Sequence, residues 1–302
     1  MNWLIITILS YFIFATVSLL DKYLLTSHIP NPKVYVFYVG ISGILALVLI
    51  PFVNFLIPDF ITITLSLLAG AIFTFFLYGY FSALNLFEAS RVIPAIGGLS
   101  PLFSFGIIYI FSGGEEILSF FEIIAFFLLT LGSVLMMIEK EKFITLKSLQ
   151  LSSIASLLGA LSFVLSKYVF LAQPFWSGMI WMRIGTFLAA LFFLFSKEVR
   201  KEVFLKRIGF KKNTATIFLL DQVMGAGANI LYEWAVALVP LASLAIISAL
   251  SGIQYVFLFI FITFLSFKFP QILKEKISKK ILFRKIGAIL LIGTGLVVLA
   301  LK

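Results

Sequence analysis

The chain has 302 residues, 62% hydrophobic and 12% charged, with a mean hydropathy of +1.16 and a formal net charge of +10. So little charge excludes a soluble domain, and the absence of cysteine excludes disulfides, thiolate metal sites and cysteine nucleophiles. The one histidine, His28, leaves no cluster for zinc or a catalytic triad, and the basic residues sit in loops, where they signal membrane topology and not a nucleic-acid partner.

Apolar blocks of about 20 residues separated by short polar breaks mark a polytopic helical membrane protein. Ten spans are predicted, at roughly 3–25, 34–57, 61–86, 90–111, 118–138, 150–172, 175–196, 214–238, 240–266 and 282–301. The first has no basic segment before it and no small-residue cleavage site after it, so it reads as a retained helix and not a signal peptide. Lys22-Tyr23 and Lys167-Tyr168 close spans 1 and 6, where snorkelling to the interface accounts for the lysines. Span 3 contributes Tyr78 and Asn85 as candidate lining residues. Gly97, Gly98, Ser100 and Pro101 interrupt span 4, and Ser248, Ser251 and Gly252 interrupt span 9, which permits close packing and bending. Arg183 lies about eight residues into span 7, and a fixed guanidinium there suits a carboxylate or phosphate, or an ion pair with Asp221 or Glu233. The following loop, SKEVRKEVFLKRIGFKKN, fits a short interfacial helix with Val199, Val203 and Phe204 towards lipid.

Span 8 is the most polar. Its core, FLLDQVMGAGANILYEWAVAL over Phe218–Leu238, carries Asp221, Gln222, Asn229, Tyr232 and Glu233. Polar groups inside a span are costly and face a cavity or a partner. Gln222, Gly225, Asn229 and Glu233 follow spacings of three and four and share a helix face. Asp221 suits a substrate amine or a transported proton, or an ion pair with Arg183 or Lys167. Glu233, beside Tyr232 and Trp234, suits a cation, or snorkelling at the interface.

Of the 23 lysines and arginines, 20 fall in the loops joining spans 1–2, 3–4, 5–6, 7–8 and 9–10. Basic loops stay cytoplasmic, which predicts both termini outside. The halves also repeat. SLLDKYLLTSHIP from Ser18 parallels FVLSKYVFLAQP from Phe163, the two Lys-Tyr pairs being 145 residues apart. ALNLFEASRVIPAIGGLSPLFSF from Ala83 parallels AVALVPLASLAIISALSGIQYVF from Ala235, and TLGSVLMMI from Thr130 parallels LIGTGLVVL from Leu291. Five spans per copy force the second copy to enter from the opposite side, a transporter signature.

Ala89-Ser90, Leu99-Ser100-Pro101, Gly114-Glu115 and Gly132 in the first half, and Arg183, Ala242-Ser243 and Gly293/Gly295 in the second, resemble in their order the EamA-type transporters of the drug/metabolite transporter superfamily. That resemblance implies an all-α integral membrane protein with ten transmembrane helices as a five-plus-five inverted repeat, repeats at 1–147 and 148–302, and a cavity lined by spans 3, 4, 8 and 9 with spans 5 and 10 peripheral. It departs from the family at Ile253-Gln254, at Lys268, and at Tyr35 and Tyr38, where span 2 usually has an arginine. Family members usually keep cytoplasmic termini, against the charge distribution here.

The function expected is a secondary transporter of a small organic metabolite, an amino acid, amine or similar, across a prokaryotic plasma membrane. Its partners are that substrate, the lipid bilayer, and protons or another coupling ion, in a monomer or homodimer. The alternatives are a carrier of nucleotide sugars, phosphorylated metabolites or lipid-linked sugars, which needs several cations, and a non-transporting scaffold, which needs no polar void. No metal, cofactor or enzyme activity is expected, because no Gly-rich phosphate loop, metal cluster or nucleophile–base pair occurs. The candidate substrate residues are Asp221, Gln222, Asn229, Arg183, Tyr232, Glu233, Tyr78 and Asn85.

Overall fold

A computed structural model describes residues 2–87, 89–116, 118–137, 146–205, 212–268 and 279–301. Lys140, Lys142, Lys206, Arg207, Lys211, Lys274, Lys276, Lys302 and the side chains of Ser90 and Arg91 lie outside the described residues. Within them the chain is all-helical, with 88% helix and no strand. Eight helices are long and apolar enough to cross a membrane, and Ala95–Phe111 and Phe120–Met136 are shorter apolar helices. Helices satisfy every backbone group within the segment, which a chain this apolar requires in lipid.

In order, α1 is Asn2–Ser27, α2 Pro32–Ser42, α3 Phe60–Leu86, α4 Ala89–Phe111, α5 Phe120–Met137 and α6 Leu146–Ala172. Then come α7 (Phe175–Phe192), α8 (Lys197–Arg200), α9 (Lys212–Leu238), α10 (Leu244–Ala249), α11 (Gly252–Lys268) and α12 (Lys279–Ala300). Helix starts follow their caps. The Asn31 side chain accepts from the Lys33 amide at 2.9 Å with Pro32 at the first turn, and Asp59 accepts from the Ile61 and Thr62 amides at 3.0 and 3.2 Å. The Thr62 hydroxyl and amide donate to Asp59 and hold its carboxyl below the usual range. Helix α4 stops at Gly113 and Gly114, whose φ values of 64° and 85° let the Gly114 amide turn back to the Tyr109 carbonyl at 2.9 Å.

Three expectations need correction. Span 2 tightens into 3-10 geometry over Gly43–Phe52, around Pro51, and does not continue as an α-helix to 57. Span 4 is continuous through Gly97, Gly98 and Pro101, whereas span 9 is broken into α10 and α11 at Leu250–Ser251. The two facts are linked. Pro101 has no amide to offer the Gly97 carbonyl, and the Ser251 hydroxyl from the α10–α11 break donates to that carbonyl at 3.2 Å instead. Lastly, residues 197–205 of the loop after span 7 fold as α8 and a π turn, with Val199 fully buried in the core and Phe204 exposed, so Val199 does not face lipid.

Helix α1 packs chiefly on α9, α3 on α6 and α7, α4 on α6, and α5 on α12. Loops gather at two ends. At one end Lys33 pairs with Glu198 at 3.4 Å, and Asn85 Nδ2 donates to the Pro30 carbonyl at 3.1 Å. There the Ser196 hydroxyl, the Glu198 amide and Lys33 hold the Glu198 carboxyl down at about 2. At the other end the Ser177 hydroxyl bridges the Leu56 amide and the Asn54 carbonyl at 2.9 and 3.3 Å, and the Ser243 hydroxyl donates to Glu122. Loops 1–2, 3–4 and 7–8 therefore share one end, and loops 2–3, 4–5, 6–7 and 8–9 the other.

Candidate functional site

Helices α3, α6, α7 and α9 border a narrow cleft of about 20 Å³, with Gly70, Phe73, Ser162, Arg183, Asn229 and Glu233 in its walls. The described cleft thus draws on spans 3, 6, 7 and 8 and not on spans 4 and 9. Arg183 is the ninth residue of α7, eight residues beyond Phe175, so it sits about 12 Å in from the 6–7 loop at 1.5 Å per residue. Its guanidinium donates to the Asn229 side-chain Oδ1 and lies over the Phe73 ring at 5.6 Å. Phe73, Asn229 and the helix turn fix the plane of the fork and leave other N–H groups free for a ligand.

Glu233 faces the same cleft one turn beyond Asn229. Its carboxylate forms no ion pair with Arg183, and Oε2 is buried with no hydrogen-bond partner. The cleft thus holds a fixed cation and an acid with one unpartnered oxygen. Met179 and Met182 provide adaptable apolar wall.

The close approach of α3 and α7 sets this geometry. A Cβ on Gly70 would fall 1.9 Å from the Met182 carbonyl oxygen, and one on Gly185 would fall 2.3 Å from the Leu67 carbonyl oxygen. The Thr186 hydroxyl donates to Gly70 and Met182 carbonyls at 3.2 and 3.1 Å, and Thr74 donates to Thr186 at 3.2 Å, stitching the crossing.

Asp221 belongs to a second polar centre, towards the Lys33–Glu198 end. It pairs with neither Arg183 nor Lys167. The Tyr35 hydroxyl is 3.1 Å from Asp221 Oδ2 and 2.7 Å from Asp21 Oδ1, and Gln222 Nε2 donates to Asp221 Oδ2 at 3.1 Å. Gln222 in turn accepts from Ser42 of α2 at 2.9 Å, while Gly225 faces Val17 of α1, so only Asn229 and Glu233 of the shared face reach the cleft.

Three candidates lie elsewhere. Tyr232 packs with Tyr11, Phe14 and Phe163 at centroid distances of 5.8, 6.1 and 5.5 Å. Tyr78 packs on Phe193 at 5.3 Å, and Asn85 ties α3 to the 1–2 loop. The lysines do not snorkel. Lys22 donates to the Leu84 and Phe87 carbonyls at 2.6 and 2.9 Å, closing the end of α3. Lys167, 3% exposed, donates to the Val236, Ala237 and Val239 carbonyls at 3.1, 3.1 and 2.6 Å, closing α9. Sequence reasoning missed Asp21 and Tyr35 as site residues. The available signal was an acid placed within the last two turns of an apolar span.

No group of three potential metal ligands occurs among the described residues. No family model and no curated protein matches the sequence. In fold the chain is similar to 22 solved chains. One, described only as the crystal structure of a protein, has a TM-score of 0.65 and 15% identity over 98% of this chain and 94% of its own. At that identity the likeness establishes a fold and nothing of function.

Proposed function

We propose that this chain is a multi-pass secondary carrier that binds a small zwitterionic metabolite, of the amino-acid class, between Arg183 and Glu233. The observation that carries this reading is the pairing of a fixed guanidinium with a buried carboxylate whose Oε2 has no hydrogen-bond partner, across one cleft. A zwitterion satisfies both. Its carboxylate meets the Arg183 fork, and its ammonium supplies donors for Glu233 Oε2. A nucleotide sugar or phosphorylated metabolite wants several cations, and Lys22 and Lys167 are engaged on helix carbonyls.

We read the architecture of this carrier as a ten-helix, five-plus-five inverted repeat of EamA type, and two observations support that reading. Lys22 and Lys167 close the ends of α3 and α9 through carbonyls in matching register, Leu84 with Val236 and Phe87 with Val239, each pair 152 residues apart. Packing follows the same exchange, since α1 on α9 is the counterpart of α6 on α3. Inverted repeats move by rocking about a site between them. In this reading the membrane is a prokaryotic plasma membrane, and the basic loops favour a cytoplasmic Lys33–Glu198 end with the cleft towards the outer face. No ATPase motif occurs, and uphill transport would draw on protons, another ion or exchange.

Ligand-induced stabilisation of the purified protein tests this. Phenylalanine, leucine and threonine should raise Tm, by the equivalent of about 2.7 kcal/mol at a hundredfold excess over Kd. Phenethylamine and phenylpropanoate, each lacking one charged group, should shift it far less. Stabilisation by nucleotide sugars or sugar phosphates with none by amino acids would contradict the proposal.

A further inference from the structure

Two acids from different helices meet on one tyrosine. Asp21 of α1, Tyr35 of α2 and Asp221 of α9 are 6%, 0% and 1% exposed. The Tyr35 hydroxyl has one hydrogen and two carboxyls within reach, at 2.7 and 3.1 Å. It donates to one of them. The second contact becomes a hydrogen bond when that carboxyl carries a hydrogen of its own. Asp221 Oδ1 adds a buried oxygen with no partner. The arrangement has acceptors in excess and is completed by a single proton.

Among the described residues, no positively charged group bonds the two acids. From α9, among the described residues, the Gln222 amide is the further donor to Asp221. From α3, Tyr80 faces both acids, but its hydroxyl donates to Ser18 at 3.2 Å, and Gln254 of α11 donates to the same Ser18 at 3.0 Å. Tyr255 of α11 lies beyond Tyr80. Among the described residues no lysine or arginine bonds either carboxyl.

We propose that Asp21, Tyr35 and Asp221 form a binding site for one exchangeable proton, which latches α1, α2 and α9 together at the Lys33–Glu198 end. Binding forms one O–H bond on a carboxyl, with the proton taken from water at that end. Release returns it and leaves two facing carboxylates that share one hydroxyl and repel. Asn229 and Glu233 lie on the same helix as Asp221, about 12 and 18 Å further along at 1.5 Å per residue, so opening the latch moves part of the cleft wall. That use of the site rests on the carrier reading. The site itself does not.

Infrared difference spectroscopy of the purified protein in nanodiscs, titrated over pH in potassium buffer, tests it without substrate. The wild type should show one protonated-carboxyl band that disappears as pH rises and is absent from both Asp21→Asn and Asp221→Asn at neutral pH. Bands from Glu122 and Glu233 cancel in the wild-type-minus-variant difference. Tyr35→Phe keeps the ring packing against Phe81 at 4.6 Å, so it reports even where an asparagine variant fails to fold. It should shift the band and its midpoint. A band that survives in both asparagine variants, or is unmoved in Tyr35→Phe, overturns the proposal. So does loss of the band on adding sodium at fixed pH, which makes the site a sodium site. Amino-acid stabilisation is read separately, so either conclusion can fail alone.

Discussion

Replacing Gly70 with leucine is expected to destabilise the protein by about 3 kcal/mol or more and to abolish ligand stabilisation. Overpacking of a core costs roughly 1–3 kcal/mol when side chains can shift. Here the first added atom would lie 1.9 Å from the Met182 carbonyl oxygen and 2.8 Å from the Thr186 amide nitrogen, both backbone atoms that no rotamer change can move. Helix α7 must back away from α3. Arg183 follows Met182 in the chain, so the displacement carries the guanidinium off Asn229 and Phe73. Gly227→Ala is the matched control, because a Cβ there meets nothing within 4 Å. It should be neutral, or gain up to about 1 kcal/mol from helix propensity. Thermal melts of both variants check this, and equal melting points would show that α3 and α7 do not cross on Gly70.

Removing the guanidinium leaves the fold intact and should remove the substrate. Arg183→Met keeps the length and apolar stem, yet leaves a ligand carboxylate without its partner. Truncating one member of a desolvated charge pair costs about 2–5 kcal/mol, or roughly 30- to several-thousand-fold in affinity. Lysine should not rescue it fully, because a point charge can neither fork onto a carboxylate nor lie flat on Phe73. Glu233→Gln should act differently. It retains carboxylate recognition and loses the ammonium partner, so preference should move from phenylalanine towards phenylpropanoate. Competition binding with those two compounds reads the difference, and an unchanged preference in Glu233→Gln would remove Glu233 from the site.

The sequence made the membrane helices legible because hydropathy over 20 residues is a bulk property that tertiary contacts cannot reverse. It also made α9 legible as the polar helix, and Arg183, Asn229 and Glu233 do come together across one cleft. Partner choice was not legible. Asp221 looked like an ion-pair candidate because Arg183 and Lys167 were the cations available at depth. Lys167 turned instead to the α9 carbonyls, which needed a cap where the helix ends inside apolar surroundings. Asp21 was hidden by its neighbour. Beside Lys22 it reads as the polar end of a span, but a helix points adjacent residues about 100° apart, and Lys22 reaches α3 while Asp21 turns to Tyr35. The break in span 9 was legible in Ser248, Ser251 and Gly252, but a second break was expected in span 4 because proline and paired glycines read as interruption. The Ser251 hydroxyl, 154 residues away, fills the gap that Pro101 leaves.

Counterflow in proteoliposomes tests the carrier reading most directly. Vesicles loaded with unlabelled phenylalanine, leucine and threonine should accumulate each labelled amino acid from outside, with phenethylamine and phenylpropanoate exchanging poorly. The Arg183→Met protein, reconstituted to the same density, should fall to the level of empty vesicles. Exchange that is equal in wild type and Arg183→Met, or no amino-acid exchange by folded wild type, would contradict a zwitterion site between Arg183 and Glu233.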